Sequence, residues 1–130
     1  MTADETDQVP MDVLFACVPV SDLVSAVDWY ERVFGRPADV VPNESEVMWR
    51  VTDGGWLYVL EDPERAGRTV VSIAVGALDP FLTGLKGRGV HVGSVEAVGE
   101  AGWKALVTDG DGNVLAFMEV AAAKDASGAD

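Results

Sequence analysis

Val51-Thr52-Asp53-Gly54 recurs as Val107-Thr108-Asp109-Gly110, 56 positions further on. Each copy closes one apolar run and opens another. The first leads through Gly55 into Trp56-Leu57-Tyr58-Val59-Leu60-Glu61. The second leads through Asp111-Gly112-Asn113 into Val114-Leu115-Ala116-Phe117-Met118-Glu119. Asp-Gly between apolar runs signals a hairpin, because glycine supplies the positive φ that a tight turn needs. Upstream, Leu14-Phe15-Ala16-Cys17-Val18-Pro19-Val20 matches Val71-Ser72-Ile73-Ala74-Val75-Gly76-Ala77 at an offset of 57. Agreement of strand, helix and hairpin order across both stretches identifies an internal duplication.

Each half carries one helix after its first strand. Ser21 or Asp22 can cap the first by accepting from a free backbone N–H. Leu23, Val27, Tyr30 and Phe34 then give one apolar stripe, and Gly35 and Pro37 end it. In the second half Asp79 is the expected cap, with Pro80 at the first helical position and Phe81, Leu82 and Leu85 as the buried face. Three strands follow each helix, of which Asp39–Pro42 and Val90–Val95 are the shortest runs. The order is β-α-β-β-β, twice. The fold class is α+β, with modules over residues 11–66 and 67–120 and polar tails over 1–10 and 121–130.

Composition narrows the chemistry. The 130 residues hold 22 acids against 9 bases, a net charge of −13. No basic face is available for phosphates, so nucleic acid is not an expected partner. No apolar stretch is long enough for a membrane span, and none follows the start as a targeting segment would, so no membrane is expected and the cytoplasm is the expected location. A single cysteine, Cys17, excludes an internal disulfide and a cysteine-cluster zinc site. A single histidine, His91, excludes a multi-histidine metal site within one chain. Asp109 and Asp111 look like a fragment of a calcium loop but lack the spaced acids that would complete one.

Val18-Pro19-Val20-Ser21-Asp22-Leu23, Ala26-Val27-Asp28-Trp29-Tyr30-Glu31-Arg32-Val33-Phe34-Gly35 and Thr108-Asp109-Gly110-Asp111-Gly112-Asn113-Val114-Leu115 together resemble the vicinal oxygen chelate superfamily. That superfamily groups glyoxalase I, the extradiol dioxygenases and the bleomycin-resistance proteins. The resemblance runs over residues 12–120, with Gly110 where proline is usual. It implies two tandem βαβββ modules whose curled mixed sheets enclose a cleft, and a homodimer in which chains can share clefts. In metal-dependent members, four inward positions on the first and fourth strand of each module hold the cation. Carried over, these positions are Phe15, Tyr58, Ser72 and Ala116. Two have no donor atom, and the others offer only neutral hydroxyls, which are poor ligands. No metal and no other cofactor is therefore expected, and with no Lewis acid the superfamily's shared chemistry is not expected either.

Strand alternation then assigns the cleft. Phe15 and Cys17 point inward from the first strand, and Trp56, Tyr58 and Leu60 from the fourth. With Asp53-Gly54 as a two-residue turn, Trp49 opposes Tyr58 and shares its face. By the repeat, Trp103 and Ala105 follow, with Val114, Ala116 and Met118 from the last strand. The expected ligand-binding set is Phe15, Cys17, Trp49, Trp56, Tyr58, Ser72, Trp103, Ala116 and Met118, with no catalytic residue assigned. Arg50 falls outside the cleft, and Glu61 and Glu119 point to the helix side or to solvent. Aromatic walls suit flat or apolar ligands, although such rings also fill ordinary cores and interfaces. The reading is a metal-free relative of the bleomycin-resistance proteins that sequesters an aromatic or apolar small molecule such as an antibiotic. The alternative is a lyase, isomerase or dioxygenase-type enzyme of the same superfamily, acting metal-free or through ligands elsewhere in the chain.

Overall fold

The computed structural model describes residues 9–100 and 102–120. The tails expected over 1–10 and 121–130 lie outside the described residues, apart from Val9 and Pro10. The first module runs β1 (Leu14–Val20), α1 (Leu23–Phe34), β2 (Val40–Asn43), β3 (Glu46–Thr52) and β4 (Gly55–Glu61). The second runs β5 (Val70–Ala74), α2 (Leu78–Gly87), β6 (Val95–Val98), β7 (Gly102–Thr108) and β8 (Val114–Val120). Each module forms one four-stranded mixed sheet, in the orders β1-β4-β3-β2 and β5-β8-β7-β6. The first strand of each module pairs in parallel with its last, and the other pairings are antiparallel. The βαβββ order is present twice.

The two helices start and stop for local reasons. Asp22 accepts from the Ser25 amide at 3.1 Å and from its hydroxyl at 2.6 Å. Gly35, at φ 74°, ends α1 by donating its amide to the Glu31 carbonyl. A left-handed residue at this point satisfies a carbonyl that the helix leaves open. The second helix differs from expectation. It begins at Leu78, so Asp79 lies within the first turn and the residue at the cap is Ala77, which has no side-chain acceptor. The acceptor comes from another strand: the Leu78 amide donates to Glu119 Oε1 at 2.8 Å. The first module repeats the device, with the Leu23 amide donating to Glu61 Oε1 at 2.9 Å. Both glutamates thus face the helix side, as expected.

The expected strand over Val90–Val95 is displaced. Gly89, at φ 82°, reverses the chain after α2. Val90 then drops into the core at 2% exposure, and regular pairing with β7 begins only at Val95. His91 is exposed and lies outside any strand.

One core serves both modules. Val18, Leu57, Val59, Val47 and Trp49 meet α1, and Ala105, Val107, Leu115 and Phe117 meet α2, in a single buried cluster. Both sheets turn their helix-side faces into this cluster, so their opposite faces are left open. Polar bonds tie the modules together. The Tyr30 hydroxyl donates to Asp109 Oδ2 at 2.9 Å, and the Arg88 guanidinium donates to the Arg32 and Val33 carbonyls at the end of α1. No helix among the described residues is long and apolar enough to cross a membrane.

Candidate functional site

The open face of the first sheet is aromatic. Phe15 lies beside Trp56 in register, and Cys17 beside Tyr58. The Phe15 ring stacks on Trp56 with centroids 6.3 Å apart and meets the edge of Tyr58 at 6.5 Å. Phe15 is 51% exposed although it sits at the centre of this group. Leaving a large ring this open is uncommon unless a ligand or partner covers it. The Cys17 thiol is half-buried on this face. The adjacent Cys17 thiol raises the Tyr58 phenol above its usual range, with burial and then the nearby Glu46 charge adding to the effect. Tyr58 therefore stays protonated and can offer a donor.

Among the described residues, the open face of the second sheet carries no aromatic ring and mostly small or aliphatic side chains. Ser72 pairs with Ala116, Ala74 with Met118, Leu106 with Ala116 and Lys104 with Met118. Leu115 and Phe117 turn the other way, and Phe117 packs on Phe81 of α2 at 4.6 Å. The expected positions of Phe15, Cys17, Trp56, Tyr58, Ser72, Ala116 and Met118 thus fall on the sheet faces turned away from the helices, with Ala116 only 5% exposed there.

Trp49 and Trp103 do not. Trp49 is fully buried on the helix side, near Phe34 at 5.3 Å and Tyr30 at 6.1 Å. Its indole N–H donates to the Arg36 carbonyl at 3.1 Å. The cause is a register shift between Arg50 and Thr52. Thr52 opposes Gly55, as a two-residue turn requires, but Arg50 rather than Val51 opposes Trp56, and Trp49 opposes Leu57. One extra residue in a strand flips every side chain beyond it. Carried through the repeat, the same error placed Trp103 and Ala105 in the cleft. Ala105 is fully buried in the core, and Trp103 shares its side of the sheet, 53% exposed near Pro80 and the start of α2. The positions gained are Met48, Arg50, Lys104 and Leu106. Plain alternation carried the signal: Glu46, Arg50 and Thr52 are polar between apolar Val47, Trp49 and Val51.

The four positions that correspond to the superfamily's metal ligands do not form a fitting donor set. Phe15 and Ala116 have no donor, and Ser72 and Tyr58 have neutral hydroxyls. Among the described residues, no group of three or more histidine, cysteine, aspartate or glutamate side chains is placed to hold a metal ion. A separate hollow of about 320 Å³ lies between Trp29 on α1 and the Asp109–Asp111 turn. Its carboxylates are already engaged: Asp22 by Ser25, Asp111 by Ser21 and Asp109 by Tyr30, Asn113 and turn amides.

The architecture has solved counterparts. A glyoxalase/bleomycin resistance protein from Catenulispora acidiphila DSM 44928 superposes with a TM-score of 0.78 at 36% identity, covering 83% of this chain and 97% of that one. A bleomycin-binding protein complexed with bleomycin gives 0.70 at 20% identity, covering 83% and 98%. TnmS3, an antibiotic binding protein from Streptomyces sp. CB03234, gives 0.69 at 22% identity, covering 88% and 99%. No protein-family model matches the chain, and no curated protein does. Two βαβββ modules joined in this order define the vicinal oxygen chelate fold. Within it, the chain belongs to the glyoxalase/bleomycin resistance protein family.

Proposed function

We propose that this protein binds and sequesters an aromatic or apolar small molecule, such as an antibiotic, without a metal. One observation carries the reading: the open face that would present metal ligands in the superfamily presents instead the contiguous rings of Phe15, Trp56 and Tyr58. Small-molecule binding by structural relatives, one of them complexed with bleomycin, supports it. The binding set is Phe15, Cys17, Trp56, Tyr58, Ser72, Ala116 and Met118. The modules, over 11–66 and 67–120, act as half-sites.

A homodimer completes the cleft. Within one chain both open faces point away from the shared core, so the aromatic face of one copy meets the Ser72–Ala116 face of another. Leu14, at 74% exposure, and Val70, at 67%, lie on the outer strands and would be covered on pairing. A reducing, cytoplasmic setting suits the unpaired Cys17 thiol.

The test is tryptophan fluorescence and thermal shift against planar antibiotics, with metal analysis of protein purified without chelator. Quenching and a raised midpoint in metal-free protein are expected. No response to any compound, or one transition-metal ion per chain, overturns the proposal, and the second result favours an enzyme.

A further inference from the structure

Among the described residues of this acidic protein two basic side chains stand on strands, Arg50 on β3 and Lys104 on β7, and both face the open side of a sheet. Their surroundings differ. Arg50 is tied to its own hairpin, donating to the Asp53 carbonyl at 2.8 Å with the Asp53 carboxylate at 4.0 Å. Lys104 is half-buried between Met118 and Glu96 across the ladder. No ion pair joins it to Glu96 or to any other carboxylate among the described residues. Arg32, Arg36 and Arg65 each hold a carboxylate, and Arg88 closes the end of α1. Lys104 is thus a cation held on a ligand-facing surface without a structural task.

A lysine in this position has lost some of its hydration and gains most from an anion that arrives with the ligand. Of its neighbours on that face, Leu106, Ala116 and Met118 offer apolar contact, and the exposed Glu96 carboxylate opposite it across the ladder forms no ion pair with it. We infer that the ligand is a planar aromatic molecule bearing an anionic group, a carboxylate, sulfonate or phenolate, with its rings on Phe15, Trp56 and Tyr58 and its anion at Lys104. The inference rests on the shared-cleft reading above, which brings the two faces together. It runs against the overall charge of −13, which repels anions. A preference for an anion would therefore be local in origin.

The test uses three ligands of one shape: a naphthalene sulfonate, the matching methylnaphthalene and the matching trimethylammonium compound, titrated calorimetrically against the full chain. The sulfonate is expected to bind at least about tenfold more tightly than the neutral compound, the scale of one hydrogen bond to a charged group. Lys104→Met should remove that preference and leave the neutral compound's affinity unchanged. Lys104→Arg should restore it. Lys86→Met, a charge-matched change on α2, should do nothing. Equal binding of the sulfonate and the neutral compound, or a preference that survives Lys104→Met, overturns the inference and leaves sequestration standing. Failure of all three to bind overturns both.

Discussion

Tyr30 of the first module and Asp109 of the second meet at 2.9 Å, phenol to carboxylate, in the buried seam between the two halves. The same carboxylate receives the Asn113 side-chain amide at 2.9 Å and three turn amides, from Asp111, Gly112 and Asn113. Asn113, 1% exposed, also donates to the Pro19 carbonyl of β1 and accepts from the Gly67 and Thr69 amides of the linker. Residues that read as a family signature in the sequence are therefore the fastening between modules. Removing Asn113 leaves several buried groups without partners. Asn113→Ala should cost about 3 kcal/mol, and Tyr30→Phe about 1–2 kcal/mol because Asp109 keeps its other donors. Urea unfolding measures both, and equal stability of all three proteins would refute the role assigned to the seam.

The seam also sets a pH dependence. Burial, and then the Asp109 charge and hydrogen bond, raise the Tyr30 phenol far above its ordinary value of 10.0. The folded protein therefore keeps Tyr30 neutral at a pH where the unfolded chain ionises. Its contribution is complete below the unfolded pKa and is lost as pH rises beyond it. Stability should decline from pH ~10 upward, and the decline should be shallower in Tyr30→Phe. Parallel pH profiles for the two proteins would contradict this account.

Trp49 and Trp56 should behave oppositely. Trp49→Ala empties a fully buried site and should cost about 3–5 kcal/mol. Trp56→Ala lies on the open face, should cost far less, and should weaken ligand binding. Denaturation and ligand titration of the two variants separate the roles. A large stability loss in the Trp56 variant with ligand affinity unchanged would reverse the assignment.

Gly67 tests the linker. It sits at φ 89°, and a Cβ there would lie 2.3 Å from the Asp111 carbonyl oxygen. Gly67→Ala must move backbone on one side or the other and should cost at least about 2 kcal/mol. A thermal midpoint equal to that of the parent protein would show that the linker yields easily.

The duplication and the order of elements were legible because the repeated Val-Thr-Asp-Gly turn and the alternating runs are local signals. The open-face positions of Phe15, Tyr58, Ser72 and Ala116 followed from strand parity on β1, β4, β5 and β8, where no irregularity intervenes. Trp49 was misplaced because the register shift next to Val51 has no glycine or proline to announce it. Trp103 was misplaced because the repeat passed that error on. The Glu119 cap was out of reach for another reason: its partner, the Leu78 amide, lies 41 residues away. Contacts at that separation are fixed by topology and not by neighbouring sequence.

Asp53 occupies in the first half the place that Asp109 holds in the second, yet its side chain is fully in water beside Arg50. The two descendants of one ancestral segment have thus diverged into a lock and a plain turn. A synthetic tandem of two first halves would offer the tyrosine an Asp53 without the Asn113 side chain and turn amides that hold Asp109, and a tandem of two second halves would carry the aspartate with no phenol to answer it. Recombination among relatives should accordingly preserve the pair as one inherited unit, even where the remainder of each half is exchanged.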